Sequence, residues 1–431
     1  MSSPREPTVR AVVVEGFFTR LGFGMVTFAL PLYGLSIGMN VAEVGILAGA
    51  RAVVEPVVKP LAGRFVDRYG IRRGYLGAVS IRLIGSLLLF SATTPAALFG
   101  VRFLQGAASA ARDPASISLI ARQSKLRLGR AFSATIGARD LGNVLAGVLA
   151  GGILAATGGS FQVLWAVVVA LAVVPVVTVH RWVARDDVRP PAGGPVVVSV
   201  AEPDLASLAA PEGAPAPQEP PTPGAERHRL RLIGGLGLFA GLTAHMTHGL
   251  FQVYATEVGG LAPGQVGLIY SLSVVTLLAT GPAFGWAADR FGTGPLIPVR
   301  GLANVLSSTL YLVAPSFAGI LAARFVDDTG KAAFRPTWGT LMASVVRSPG
   351  PRRGRKVANV DALLSVGEAL GPVLAGFLWN WRGVAAMFAV RALLGVATEL
   401  FIGRRLRRLP EEAPAEEGTA ARPSPAGSTG G

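Results

Sequence analysis

The chain contains no cysteine. Disulfide frameworks, thiolate metal sites and cysteine nucleophiles are therefore excluded together, and nothing follows about redox compartment. Charge is scarce as well: Asp, Glu, Lys and Arg make up 15% of the 431 residues against 51% hydrophobic, with a mean hydropathy of +0.50. A soluble chain of this length would form two or three domains with charged surfaces. Here the surface must be largely lipid. Acidic residues are the scarcer charge, 25 against 40 basic, for a net +15. In a soluble protein that excess would point to nucleic acid, but its distribution decides otherwise. Missing too are Gly-x-x-x-x-Gly-Lys-Ser/Thr, His-Glu-x-x-His and Gly-x-Ser-x-Gly, so no phosphate cradle, zinc-protease helix or nucleophile elbow is present. We expect no enzyme, no cofactor and no metal.

What is present is a succession of long apolar runs. They place helices near 9–33, 42–62, 75–93, 96–120, 131–156, 161–181, 230–254, 264–285, 295–313, 317–346, 357–378 and 384–403. Each approaches the roughly 20 residues that cross a hydrocarbon core of about 30 Å. A backbone in lipid must bond to itself, which makes helix the natural reading even where valine and glycine are frequent. The breaks, taken alternately, carry 27 Lys and Arg on one side and only Arg382 on the other. That is the positive-inside bias, so both termini are expected in the cytoplasm of a multi-pass protein of the inner (plasma) membrane. Spread over seven segments, the basic residues leave no patch for nucleic acid. The run from Val9 past Leu32 reads as a first membrane helix rather than a cleaved leader.

Residues 190–228 change character, with ten prolines in thirty-nine positions. They predict a disordered linker at 182–228 between six-helix bundles at 1–181 and 229–408, with a disordered tail at 409–431. The bundles repeat each other. At an offset of 222, Val44-Gly45 returns as Val266-Gly267, Pro60 as Pro282, Gly63 as Gly285, Asp67-Arg68 as Asp289-Arg290, Gly70 as Gly292, Arg102-Phe103 as Arg324-Phe325 and Pro114 as Pro336. Val144-Leu145-Ala146-Gly147 returns at 229 as Val373-Leu374-Ala375-Gly376. Two parallel repeats of six helices imply an axis along the membrane normal and a path between the halves.

The break Gly63-Arg64-Phe65-Val66-Asp67-Arg68-Tyr69-Gly70-Ile71-Arg72-Arg73 resembles the G-x-x-x-D-R-x-G-R-R signature of the major facilitator superfamily, and Gly285 to Gly292 resembles its second copy. Arg102-Phe103-Leu104-Gln105-Gly106 resembles the R-x-x-Q-G of that superfamily's drug–proton antiporters. The proline-containing glycine motif of antiporter helix 5 is absent from Gly142–Gly152 and occurs instead as Gly371-Pro372-Val373-Leu374-Ala375-Gly376 in the eleventh span. The resemblance implies an all-α membrane protein of twelve helices in two pseudo-symmetric bundles. It also implies a conformational latch of Gly63, Asp67, Arg68, Gly70, Arg72, Arg73, Gly285, Asp289 and Arg290. In the family the first loop contacts the cytoplasmic end of helix 11 and favours the outward-open state, with Gly63 permitting close packing and Arg72-Arg73 fixing the loop to lipid phosphates or acidic side chains.

Charges inside the spans are plentiful: Glu15, Arg20, Arg51, Glu55, Arg82, Arg102, Arg112, Asp113, Arg139, Asp140, Arg324, Asp327, Asp328, Lys331, Arg335, Asp361, Glu368, Arg391 and Glu399. A charge at a helix centre costs about 2.5–3.5 kcal/mol or more, so these should face a partner or a wet interior. Those near helix ends, such as Arg51 and Arg335, can snorkel. In the fourth span Arg102, Gln105, Ser109, Arg112 or Asp113, and Ser116 form one polar stripe. In the tenth, Asp327 and Asp328 are both spaced to pair with Lys331. By position in the resembled fold, Asp113, Arg112, Arg102, Asp140, Arg139, Asp327, Asp328, Glu368 and Glu15 are candidates for substrate binding or proton coupling, with helix stapling as the alternative for each. His245 and His248 lie one turn apart in the seventh span and suit cavity lining more than metal.

The resulting expectation is a secondary transporter working by alternating access, exporting drug-like or metabolite molecules in exchange for protons. An importer of an anionic nutrient, by proton symport or uniport, stays open, as does a transport-inactive sensor or assembly protein. The expected partners are a small-molecule substrate, protons and the lipid bilayer, for a monomer.

Overall fold

The computed structural model describes residues 6–123, 128–183, 223–347 and 353–407, and every regular element among them is helical. The first half holds α1 (Glu6–Ser36), α2 (Val41–Tyr69), α3 (Ile71–Leu88), α4 (Pro95–Gln123), α5 (Leu128–Ala156) and α6 (Phe161–Trp182). The second holds α7 (Pro223–His245), α8 (Phe251–Glu257), α9 (Pro263–Phe291), α10 (Ile297–Val313), α11 (Phe317–Arg347), α12 (Arg353–Arg382) and α13 (Val384–Thr398). These are the twelve expected spans, with α7 and α8 together making the seventh. Six of the helices are long and apolar enough to cross a membrane by length and composition alone. Several of the others carry the intramembrane charges that lower their hydropathy.

Two boundaries differ from expectation. The seventh run, expected unbroken over 230–254, leaves helical geometry at 246–250, where Gly249 is pressed against Ala48 of α2 and Thr247 adds a β-branched residue. Residues 223–228, expected in the linker, begin α7: Pro223 opens the helix, where its missing N–H costs nothing, and Glu226 pairs with Lys356. The rest of the expected linker and the tail 409–431 lie outside the described residues.

Local chemistry fixes the turns. Asn40 caps α2, accepting from the Glu43 amide at 3.0 Å while the Glu43 carboxylate accepts from the Asn40 amide at 2.8 Å. Gly70 and Gly292, repeats of each other, end α2 and α9 with φ of 90° and 75°, a backbone that L side chains avoid. They are turn residues of the repeated signature.

Within the halves, α1 packs on α5 and α6, α2 and α3 on α4, α7 on α12, and α10 on α11 and α13. Between the halves the crossings are α2 on α12 and α5 on α9. Both use the repeated glycines. A β-carbon on Gly45 would stand 3.1 Å from the Gly376 α-carbon, and one on Gly147 would stand 2.6 Å from the Gly267 carbonyl oxygen. Such small residues let helix backbones touch in lipid. All four glycines lie toward the side of the membrane that bears the nearly uncharged breaks, here the far side. The Ser271 hydroxyl adds a bond between the halves there, accepting from the Val148 amide at 2.9 Å. On the basic side, among the described residues, no other element comes within 4 Å of where a side chain would start on Gly63 or Gly285. The halves thus meet backbone to backbone toward the far side and make no such contact at these two glycines.

Candidate functional site

The interior between the halves is charged and divided into two networks. In the first half Glu15 of α1 is fully buried and receives four donors. Arg112 of α4 supplies two, Nε at 2.8 Å and Nη2 at 2.7 Å; Thr19 supplies one at 2.7 Å and Tyr75 of α3 the last. Arg112 turns its remaining nitrogen to Asp113 at 2.7 Å, and Arg139 of α5 lies 4.0 Å from the same carboxylate while donating to Ser116 at 2.9 Å. A bidentate pair with every carboxylate oxygen used is the geometry in which a buried ion pair recovers its desolvation cost. The fourth-span stripe is thus buried as its spacing implies: Arg102, Gln105, Ser109, Arg112 and Ser116 are all enclosed, and Asp113 retains 25% side-chain exposure. Arg102 donates to Gln105 at 3.0 Å and to the Leu47 carbonyl at 3.3 Å.

The second half centres on α11. Asp327 accepts from Arg391 of α13 at 2.5 Å, Arg300 of α10 at 3.0 Å and Lys331 at 2.8 Å. Asp328 accepts from Arg324 and Lys331, both at 3.1 Å, and from Ser273 of α9. The predicted pairs from either aspartate to Lys331 both form. Arg391 is enclosed and spends its other donors on the Thr243 carbonyl at 2.9 Å, Asn304 at 3.0 Å, Ser307 at 3.0 Å and Ser308 at 2.9 Å. The two halves therefore break their own symmetry. The first puts its central carboxylate on α1, whereas the second puts it on α11, the repeat of α4.

Asp140 and Glu368 are half-buried on α5 and α12. His245 and His248 flank the break in the seventh span with rings 5.2 Å apart, and the Nδ1 of His245 lies 3.0 Å from the Gly241 carbonyl. His248 keeps accessible surface, although Lys331, Arg324 and Arg102 all lie near it.

In the signature loop the side chain of Asp67 lies outside the described ones. Arg68 rests over the Tyr69 ring at 5.5 Å, Arg73 and Asp289 are exposed, and Arg290 lies 5.9 Å from the rings of Trp286 and Phe291. Arg72 donates to the carbonyls of Val183 at 2.9 Å and His180 at 2.7 Å. Unsatisfied carbonyls at a helix C-terminus carry partial negative charge, which suits a guanidinium. Sequence reasoning misses Arg300 and Tyr75. A charge inside the run 295–313 is the signal for Arg300; Tyr75 gives none.

A family model described as the Major Facilitator Superfamily matches residues 14–208 and 233–428, one match per bundle. The chain belongs to this superfamily. Among relatives, it is 22% identical over 381 residues to multidrug resistance protein 2 of Bacillus subtilis, covering 87% of this chain and 90% of the relative. A segment of 129 residues is 35% identical to the multidrug resistance protein B homolog of Mycobacterium tuberculosis, covering 30% of this chain and 23% of that relative. This chain thus spans under a quarter of that protein's length. Among solved structures, the D323A mutant of nucleoside transporter NupG superposes with a TM-score of 0.73 at 13% identity, over 93% of this chain and 98% of that one. A bacterial homolog of the human lysosomal transporter Spinster superposes at 0.70 and 12% identity, over 94% of this chain and 98% of that one. At these identities the structures speak for the fold alone.

Proposed function

We propose that this protein is a secondary transporter of the inner membrane that exports drug-like or metabolite molecules by alternating access, driven by proton entry. The observation that carries the reading is the combination of paired glycine crossings toward the far side with buried carboxylate–arginine networks in both halves. With the basic breaks in the cytoplasm, the described conformation is inward-facing and ready to load substrate from the cell. Relatives named for multidrug resistance support the export direction. Protons are favoured as the coupling ion because buried carboxylates are set against guanidiniums, so a change of water access or of arginine partner would change proton affinity. Asp113, Glu15, Asp327, Asp328, Asp140 and Glu368 are the candidate carriers, with Arg112, Arg102 and Arg139 tuning those of the first half. The signature loop is proposed to latch the opposite, outward-open state, in which Gly63 and Gly285 come into contact.

Everted membrane vesicles test this. Acidifying the lumen should drive dye or drug uptake into vesicles bearing the protein, and collapse of the pH gradient should stop it. Uptake indifferent to the gradient would refute proton coupling, and accumulation only in right-side-out vesicles would establish the importer.

A further inference from the structure

Arg20 on α1, Arg51 on α2 and Arg82 on α3 belong to neither carboxylate centre. They converge on one narrow recess beside the Arg112–Asp113 pair, with Phe23 and Ser109 in its wall. Both the Arg51 and the Arg82 guanidinium carbons lie against the Phe23 ring, 4.5 and 5.2 Å from its centroid. Arg82 is 9% exposed; it donates to Ser109 at 3.2 Å, but its buried Nε has no acceptor, and it has no carboxylate partner among the described residues. Arg20 is half-buried and makes no hydrogen bond or ion pair among the described residues.

Four arginines and one aspartate line the recess. Arg112 is answered by Glu15 and Asp113, and Asp113 also lies in the field of Arg20. Glu55 pairs with Arg51 and Lys59, each at 3.4 Å. Gathering like charges in a low-dielectric interior is unfavourable, and leaving a buried donor unmade adds to the cost. An oxyanion entering between these groups would relieve both. Arg82 is enclosed while Arg51 and Arg20 are half-buried, so the recess is more open on their side.

We propose that Arg20, Arg51 and Arg82 bind an oxyanion, a carboxylate or phosphate, borne by the transported organic molecule. The remainder of the molecule extends from the recess past the Phe23 ring. Arg82 is the main ligand through its unused Nε, and Arg51 and Arg20 supply positive charge beside it. This inference rests on the transport reading and narrows its substrate class: the preferred cargo is an anionic aromatic or amphiphilic molecule rather than the lipophilic cation that a purely acidic cavity would take.

The test is equilibrium binding to the purified full-length protein, followed by thermal unfolding at constant ionic strength. Benzoate, 1-naphthoate and phenyl phosphate are titrated beside their neutral counterparts benzamide, 1-naphthamide and benzyl alcohol, with sodium chloride as the control for screening. At least one anion should raise the unfolding temperature saturably while its neutral counterpart does not. Arg82→Gln and Arg20→Gln should each weaken that anion about tenfold, as expected for loss of one charge-assisted contact. Arg20→Gln removes no internal bond and so keeps the test valid if Arg82→Gln folds poorly. The preferred oxyanion is decided by comparing benzoate with phenyl phosphate. Equal shifts from anions and neutral counterparts, shifts matched by chloride, or anion binding unchanged in both variants would each overturn the proposal. Because no gradient is used, loss of this binding leaves transport of other cargo untouched, and absence of transport in vesicles leaves this binding measurable.

Discussion

Gly45 of the first half and Gly376 of the second face each other backbone to backbone: a β-carbon on either would stand 3.1 Å from the other's α-carbon. Their repeats, Gly267 and Gly147, make the matching crossing on the other side of the pseudo-axis. The pair closes the far side, so enlarging it should act on the conformational equilibrium. Gly45→Val overpacks this crossing by about 1–3 kcal/mol, which would shift the two-state balance about 5- to 150-fold toward far-side opening. Single cysteines placed along the cavity should then gain reactivity toward an impermeant thiol reagent added outside the cell, and this is convenient because the parent has none. Unchanged labelling would mean that the crossing is packing and not a gate.

The signature loop should behave in the opposite sense. If Gly63 and Asp67 meet the other half only when the basic side closes, Gly63→Leu and Asp67→Asn should enrich the inward-facing state described here. Labelling from outside should fall and transport should slow, with the unfolding temperature little changed. A variant with normal labelling and normal transport would reduce the loop to a turn held by Gly70 and Arg72.

The buried pair Glu15–Arg112 makes a prediction about stability rather than switching. Removing one partner of a buried pair leaves an uncompensated charge and costs about 3–5 kcal/mol. Glu15→Gln strands Arg112 with Asp113 alone, and Arg112→Gln strands Glu15 with two hydroxyl donors, so both should unfold at lower temperature. The double variant should recover part of the loss. Additive losses would show that the two side chains do not act as a pair.

Spans, repeat and charged interior were legible because each leaves a one-dimensional trace: hydropathy for the spans, a constant offset for the repeat, and polar residues at three- and four-residue steps for the stripe on α4. The repeat even marked Gly45, Gly147, Gly267 and Gly376, the residues on which the halves cross. Partner choice left no such trace. Nothing local says that Arg112 binds Glu15, 97 positions away, or that Asp327 takes Arg391 and Arg300 from two other helices. The break at 246–250 was hidden for a related reason: its glycine answers to Ala48 in the other half, and hydropathy does not register a tertiary contact.

The same contact map orders the carboxylates for proton coupling. Glu15, Asp327 and Asp328 are fully enclosed, and each is held by several donors, so a proton reaches them only after the networks come apart. Asp113 is different. It touches Arg112 at 2.7 Å and keeps 25% of its side chain open to the wet interior, beside the recess of Arg20 and Arg82. An anionic cargo entering that recess would compete with Asp113 for positive charge and favour its protonation, linking cargo to proton through shared arginines. Asp113→Asn should therefore abolish gradient-driven accumulation in everted vesicles while sparing substrate exchange at equal pH. Asp328→Asn, which breaks a pair remote from the recess, should lower stability more than it alters the pH dependence. If Asp113→Asn keeps full uphill transport with the parent's pH profile, Asp113 is not the coupling group, and Glu15, which accepts from the same Arg112, becomes the next to test.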